Sequence, residues 1–160
     1  MVFDSVKSMT RAPCHNCGVA GCRLHDRVLI VDDEPGILFA YRKLLEQEGI
    51  SVDSCDCLCE ALDYLARHRY LAVVTDMRLN GSDPADGLSL LRAVRDRQPD
   101  AQLIVASGTS DEHVRTTAAG LGVAHYLEKP INPTRIVTLL SDLRQRLRDN
   151  PESLVVCPQG

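Results

Sequence analysis

Five residues in this chain stand where apolar runs give way to polar ones, and together they could handle a phosphoryl group. Asp32 and Asp33 follow Val28–Val31, Asp76 ends the run from Leu71, Ser107 follows Leu103–Ala106, and Lys129 follows Ala124–Glu128. Three clustered carboxylates repel one another, and unless a cation joins them one or more takes up a proton. An all-oxygen set on a small open site favours a hard ion, and Mg2+ with several retained waters suits it. A metal, a carboxylate with a free oxygen, a hydroxyl and a lysine make a phosphoryl-transfer set. In that chemistry Asp76 attacks phosphorus in line and becomes an aspartyl phosphate. Mg2+ and Lys129 neutralise charge on the transferring oxygens, and Ser107 donates a hydrogen bond to the phosphoryl group. Taken singly, each residue has an ordinary reading: Asp32-Asp33 as a helix cap, Asp76 and Ser107 as turn residues, Lys129 as a solvated amine. Only their joint placement argues for a site.

That placement needs a fold that gathers strand ends. Val28–Val31, Ile50–Ser54, Leu71–Asp76, Leu103–Ala106 and Ala124–Glu128 read as strands. Their short β-branched runs suit a parallel sheet buried on both faces. Between them lie helical patterns. Pro35 opens the first helix behind an acidic cap, and Gly49 stops it. Leu58, Ala61, Leu62 and Leu65 mark the second, and Leu88, Leu90, Leu91 and Val94 the third. Ser110 or Asp111 caps a fourth, and Asn132-Pro133 starts a fifth that carries Ile136, Leu139, Leu140, Leu143 and Leu147. Strand–helix repeats with short loops predict a flavodoxin-like (βα)5 α/β domain, a doubly wound parallel sheet in the order 2-1-3-4-5. Its switch point falls between strands 1 and 3, which end in Asp32-Asp33 and Asp76. Right-handed crossovers bring the C-terminal ends of all parallel strands to one edge. A nucleotide fold would present a Gly-rich turn after strand 1; here that turn is acidic and repels phosphate unless a metal intervenes.

The totals exclude several classes. Eighteen Lys and Arg against 22 Asp and Glu give a net charge of −4, so no overall basic charge draws the chain to nucleic acid or membrane. No stretch approaches the roughly 18 apolar residues of a membrane span, and residues 1–13 lack the apolar core of a signal peptide. The expectation is a soluble, cytoplasmic protein whose thiols stay reduced. Arg144, Arg146 and Arg148 read as a solvated helix face with a favourable C-terminal charge.

Residues 1–26 form a separate extension with no sustained period. Cys14, Cys17, Cys22 and His25 are candidate ligands for a structural zinc ion, with His15 as a substitute; the alternative is an unstructured tail with idle thiols. Residues 27–150 are the expected domain and 151–160 a loose tail. In the run Cys55-Asp56-Cys57-Leu58-Cys59, the cysteines read as small apolar residues rather than a second metal site.

Four stretches resemble one family in order and spacing: VLIVDDEP (Val28–Pro35), VVTDMRL (Val73–Leu79), IVASG (Ile104–Gly108) and YLEKPI (Tyr126–Ile131). They are similar to the receiver domains of two-component response regulators, here of the stand-alone, chemotaxis-regulator type. The resemblance implies that a sensor histidine kinase or histidine phosphotransfer protein phosphorylates Asp76. It implies that Asp33, Asp76 and the Arg78 carbonyl bind Mg2+ directly and Asp32 largely through water, with Lys129 on the phosphoryl group. Ser107 and Tyr126 are the implied switch pair, which changes the partner affinity of the fourth helix, fifth strand and fifth helix; a homodimer through that surface is an analogy alone. The Lys129–Pro130 bond is expected to be cis. Arg78 and Thr109 hold the positions that tune dephosphorylation.

One departure concerns the loop after Asp76. Leu79-Asn80 stands where the family often has Met-Pro, and Gly87 comes eleven residues after Asp76, about three later than the usual glycine. The reading is therefore a switch and not an ordinary enzyme, with an unknown output partner and no output domain. Two rivals remain: a phosphorylation-independent module responding to metal or redox state at the cysteines, and, more weakly, an aspartyl-phosphate hydrolase. Phosphatases of the haloacid-dehalogenase kind need a DxD pair, and here the two Asp are adjacent.

Overall fold

The computed structural model describes residues 26–80, 84–108 and 111–149. The apolar runs form a five-stranded parallel sheet in the order β2-β1-β3-β4-β5. Its strands are β1 (Arg27–Val31), β2 (Ser51–Cys55), β3 (Ala72–Thr75), β4 (Gln102–Ser107) and β5 (His125–Glu128). The helices are α1 (Pro35–Gln47), α2 (Leu58–Arg67), α3 (Ala85–Arg97), α4 (Glu112–Gly120) and α5 (Pro133–Asp149). The expected fold class and strand order are borne out, and the element ends shift by a residue or two.

Alternation along each strand sorts the core into two layers. Leu29, Val31, Val73, Leu103 and Val105 face one side and pack on Ala61 and Leu65 of α2, Leu90, Leu91 and Val94 of α3, and Val114 and Ala118 of α4. Val28, Ile30, Ala72, Val74, Ile104 and Ala106 face the other and pack on α1 through Tyr41 and Leu45 and on α5 through Ile136, Val137 and Leu140. Gly49 ends α1 with φ +74°, the left-handed conformation that glycine takes without penalty. Asp111 caps α4, its carboxylate accepting from the amides of His113 and Val114.

The arginines expected on a solvated face have particular partners. Arg144 donates to the Glu48 carbonyl at 2.7 Å, closing the C-terminus of α1, and Arg148 pairs with Asp26 at 2.7 Å. Position along α5 does not show that these two reach back to other elements.

The ends of the strands away from the acidic residues are tied by side chains. Gln98 is buried; its Oε1 accepts from the Tyr70 amide at 2.9 Å, and its Nε2 donates to the Leu65 and His68 carbonyls at 3.1 and 2.7 Å. Arg27 makes two bonds to Asp53, which also accepts from the Tyr70 hydroxyl at 2.7 Å. Among the described residues no helix is long and apolar enough to cross a membrane.

Candidate functional site

The strands end nearly level, because Val31 pairs with both Cys55 and Thr75, Thr75 with Val105, and Ser107 with Glu128. Backbone bonds carry this register into the loops: Asp32 donates to the Cys55 carbonyl at 3.1 Å, Asp76 to Val31 at 2.9 Å, and Lys129 to Ser107 at 2.9 Å. One edge of the sheet therefore presents Asp32, Asp33, Asp76, Ser107 and Lys129 together. One carboxylate oxygen from each of Asp32, Asp33 and Asp76 lies within 4.8 Å of the others.

Lys129 sits among these carboxylates. Its Nζ donates to Asp32 Oδ2 at 2.7 Å, to Asp76 Oδ2 at 3.0 Å and to Glu34 Oε1 at 3.4 Å. The second oxygens are also engaged. Asp32 Oδ1 accepts from the Glu34 amide at 2.9 Å, and Asp76 Oδ1 accepts from the Arg78 amide at 3.1 Å. Asp32 is 2% exposed and Asp76 8%, whereas Asp33 faces solvent. The acidic cap expected on α1 is corrected here: Glu34 stands at the N-cap but its side chain makes no capping bond, its carboxylate reaching Lys129 instead. The Lys129–Pro130 bond is cis.

Charge in this pocket is out of balance. Burial raises the pKa of Asp32 above its ordinary 3.8, even though Lys129 and the Glu34 amide pull it down. Burial works against the charge of Lys129, but its bonds to Asp32 and Asp76 outweigh that and hold the ammonium above its usual range. Burial, aided by the charge on Asp32, pushes the Tyr41 hydroxyl up to about 12. One ammonium thus serves three carboxylates. An all-oxygen set with negative charge to spare fits a hard divalent cation. A pH dependence follows. The native state favours protonated Asp32, so between 3.8 and the raised value it binds more protons than the unfolded chain, and this group's contribution to stability falls as pH rises. Urea midpoints measured without metal across this window should decline more steeply with rising pH for wild type than for Asp32→Asn.

The other expected residues are distributed as follows. Ser107 is fully buried at the end of β4. Tyr126 lies on β5 with its ring against the core and its hydroxyl buried, without a hydrogen-bond partner among the described residues. Arg78 is exposed and meets Asp76 through its amide. Thr109, Ser110, the tail 151–160 and the candidate zinc ligands Cys14, Cys17, Cys22 and His25, with His15, lie outside the described residues.

The loop after Asp76 accounts for the missing Met-Pro. Met77 and Leu79 are buried in the core, and the chain then turns at Asn80 with φ +58°. Proline, fixed near −65°, cannot adopt that conformation. Asn80 also donates to the Asp56 carbonyl at 3.2 Å, joining this loop to the one after β2. Cys55 is buried, and burial pushes its thiol up to about 12, as suits a small apolar residue; Cys59 is exposed. Ligand atoms of Asp56, Cys57 and Glu60 lie within 4.8 Å of one another. Sequence reasoning missed Glu34, whose carboxylate reaches Lys129, and Arg115, whose guanidinium lies 5.0 Å from the Tyr126 ring centre. Acidic character beside Asp33 was a usable signal for the first; nothing in the pattern signalled the second.

The profile of the response regulator receiver domain matches residues 28–141. The chain belongs to this family. It is 33% identical over 124 residues to the nitrogen assimilation regulatory protein NtrX of Azorhizobium caulinodans, covering 78% of this chain and 27% of that one. It is 34% identical over 127 residues to the transcriptional regulatory protein AruR of Pseudomonas aeruginosa, covering 76% and 50%. The chain thus spans half or less of these curated relatives. Among solved structures, the beryllofluoride-activated NtrC4 receiver domain dimer is similar with a TM-score of 0.66 at 26% identity, covering 76% of this chain and 98% of that one. A response regulator from Burkholderia pseudomallei, solved with a phosphorylated aspartic acid, a calcium ion and citrate, gives 0.64 at 26%, covering 81% and 76%. A CheY-like receiver domain from Methanospirillum hungatei gives 0.68 at 23% and shares the fold, covering 78% and 98%. As a receiver domain the chain is a regulatory module rather than an ordinary enzyme.

Proposed function

We propose that this receiver domain is a Mg2+-dependent phosphoacceptor whose modification at Asp76 switches a protein-interaction surface. The observation that carries the reading is the meeting of Lys129 with Asp32 and Asp76 beside the solvent-facing Asp33. The phosphorylated aspartic acid in the Burkholderia relative and the activation of the NtrC4 receiver by beryllofluoride support it. The donor is a phosphohistidine on a sensor kinase or phosphotransfer protein. A carboxylate oxygen of Asp76 forms a bond to phosphorus as the phosphorus–nitrogen bond breaks, and the histidine leaves with the electron pair and takes up a proton. Asp33, Asp76 and the Arg78 carbonyl would hold Mg2+, with Asp32 through water. When bound, the ion would neutralise charge on the phosphoryl oxygens. Lys129 turns from the carboxylates to the transferred group, which takes over as its anionic partner. Ser107 hydrogen-bonds that group, Tyr126 responds, and the surface of α4, β5 and α5 changes its affinity for an output partner or a second copy.

We take residues 27–150 as the receiver, working in the cytoplasm, and 1–26 as an extension in which Cys14, Cys17, Cys22 and His25 are candidate zinc ligands, the alternative being idle thiols. The approach of Asp56, Cys57 and Glu60 favours a second reading, a module answering to metal or redox state. Intact mass after incubation with acetyl phosphate and Mg2+ separates the two. One added phosphoryl group on wild type, absent from Asp76→Asn and prevented by EDTA, is the expected result. No adduct and no acetyl phosphate turnover on wild type would remove the phosphoacceptor reading and leave the cysteines as the input.

A further inference from the structure

We propose that Arg115 is a positioning residue that latches the Tyr126 ring in its inward position, with Glu128 as the keeper of the latch. The inference rests on the reading of Tyr126 as a switch residue and adds what holds it. A tyrosine on an edge strand ordinarily keeps its ring on apolar surface and its hydroxyl in water. Here the hydroxyl is buried and has no partner among the described residues, an unfavourable arrangement that some other contact must offset. The ring packs on the layer that includes Val114 and Ala118 of α4. Arg115, next to Val114, lays its guanidinium over the ring, with Cζ 5.0 Å from the centre. Its Nη1 also donates to Glu128 Oε1 at 3.1 Å. Glu128 lies two residues beyond Tyr126 on β5, so both project from the same face of the strand. The ring is thereby held between the core and an arginine anchored on α4 at one end and on β5 at the other. It cannot swing outward until the guanidinium leaves it.

The latch sits next to the pocket in register. Glu128 pairs with Ser107 and precedes Lys129, whose amide donates to the Ser107 carbonyl. A latch that favours the inward ring must, by linkage, favour whatever ligand of the pocket prefers that ring position. Arg115 and Glu128 are 45% and 58% exposed, so their ion pair alone contributes little. Stacking on the ring supplies most of the effect, and the expected influence on ligand affinity is roughly twofold to fivefold.

The test uses the full chain with its tyrosine rings carbon-13 labelled and the Tyr126 signals assigned by Tyr126→Phe. Arg115→Ala should shift the Tyr126 ring signals in the ligand-free protein, and Glu128→Gln should shift them in the same direction by less. Unchanged signals in both variants would overturn the latch. In a second arm, Arg115→Ala should weaken binding of beryllofluoride with Mg2+, Arg115→Lys should not rescue it, and the loss should vanish in a Tyr126→Ala background. A loss that persists there, or full rescue by lysine, reduces Arg115 to a surface charge and overturns the proposal. Failure of wild type to bind beryllofluoride would count against the phosphoacceptor reading, while the ring signals still decide the latch.

Discussion

Replacing Lys129 with Met is expected to lower stability by about 3 kcal/mol in metal-free buffer at neutral pH, the cost of leaving buried charge without its partner. Asp32 and Asp76, both buried, lose the ammonium at 2.7 and 3.0 Å that lies between them. The other bonds to their carboxylates come from backbone amides, which carry no net charge. The deficit should shrink as pH falls, because Asp32, already raised by burial, then takes up a proton. At the alkaline end the deficit should shrink again: the pKa of Lys129 lies above its ordinary 10.5, so the stability it contributes to wild type is complete below that value and is lost as pH rises through the raised one. Mg2+ should restore more stability to Lys129→Met than it adds to wild type, because the cation no longer competes with an ammonium for the same oxygens. Phosphorylation should still slow by roughly a hundredfold, since the transferred oxygens lose a fixed positive charge. Urea midpoints with and without Mg2+, and adduct formation by mass, read these effects. A variant as stable as wild type without metal would refute the electrostatic account of the pocket.

Gly87→Ala should cost about 2 kcal/mol and slow phosphorylation as well. A Cβ at this position would lie 2.5 Å from the Met77 Cα, 2.6 Å from its carbonyl oxygen and 2.9 Å from its carbonyl carbon. All three are backbone atoms, so no rotamer change relieves the clash. Met77 is fully buried and follows Asp76 directly, so the backbone that must yield is the one aiming the acceptor carboxylate. The urea midpoint should fall with an unchanged slope. Gly36→Ala is the control: its Cβ meets nothing within 4 Å, and it should be neutral or slightly stabilising. If both variants unfold at the wild-type midpoint, the close approach of α3 to the acceptor loop is not a constraint.

Strand order and the gathering of Asp32, Asp33, Asp76, Ser107 and Lys129 were legible because they depend on periodicity and on the handedness of crossovers, which short apolar runs encode directly. Gly87 could be singled out by its late position, though not the Met77 backbone that requires it. Asn80 stood out as a non-proline, but a left-handed turn at one residue leaves no pattern in its neighbours. Glu34 pointing at Lys129, and Arg115 over Tyr126, depend on which rotamer a long side chain takes, and residue type does not fix that. The same holds for Arg144 and Arg148, whose partners are distant in sequence.

The polar ties at Gln98 and at Arg27, Asp53 and Tyr70 all lie at the end of the sheet opposite the acidic pocket. Opening there would strip a buried amide group of three partners at once, whereas the side chains of the pocket rim, above its backbone bonds, meet through contacts among charges that a ligand can exchange. The domain is thus graded in local stability along its strands. Its base should give up its amide protons to solvent only when the whole sheet comes apart, and its rim can rearrange many times while that base stays shut.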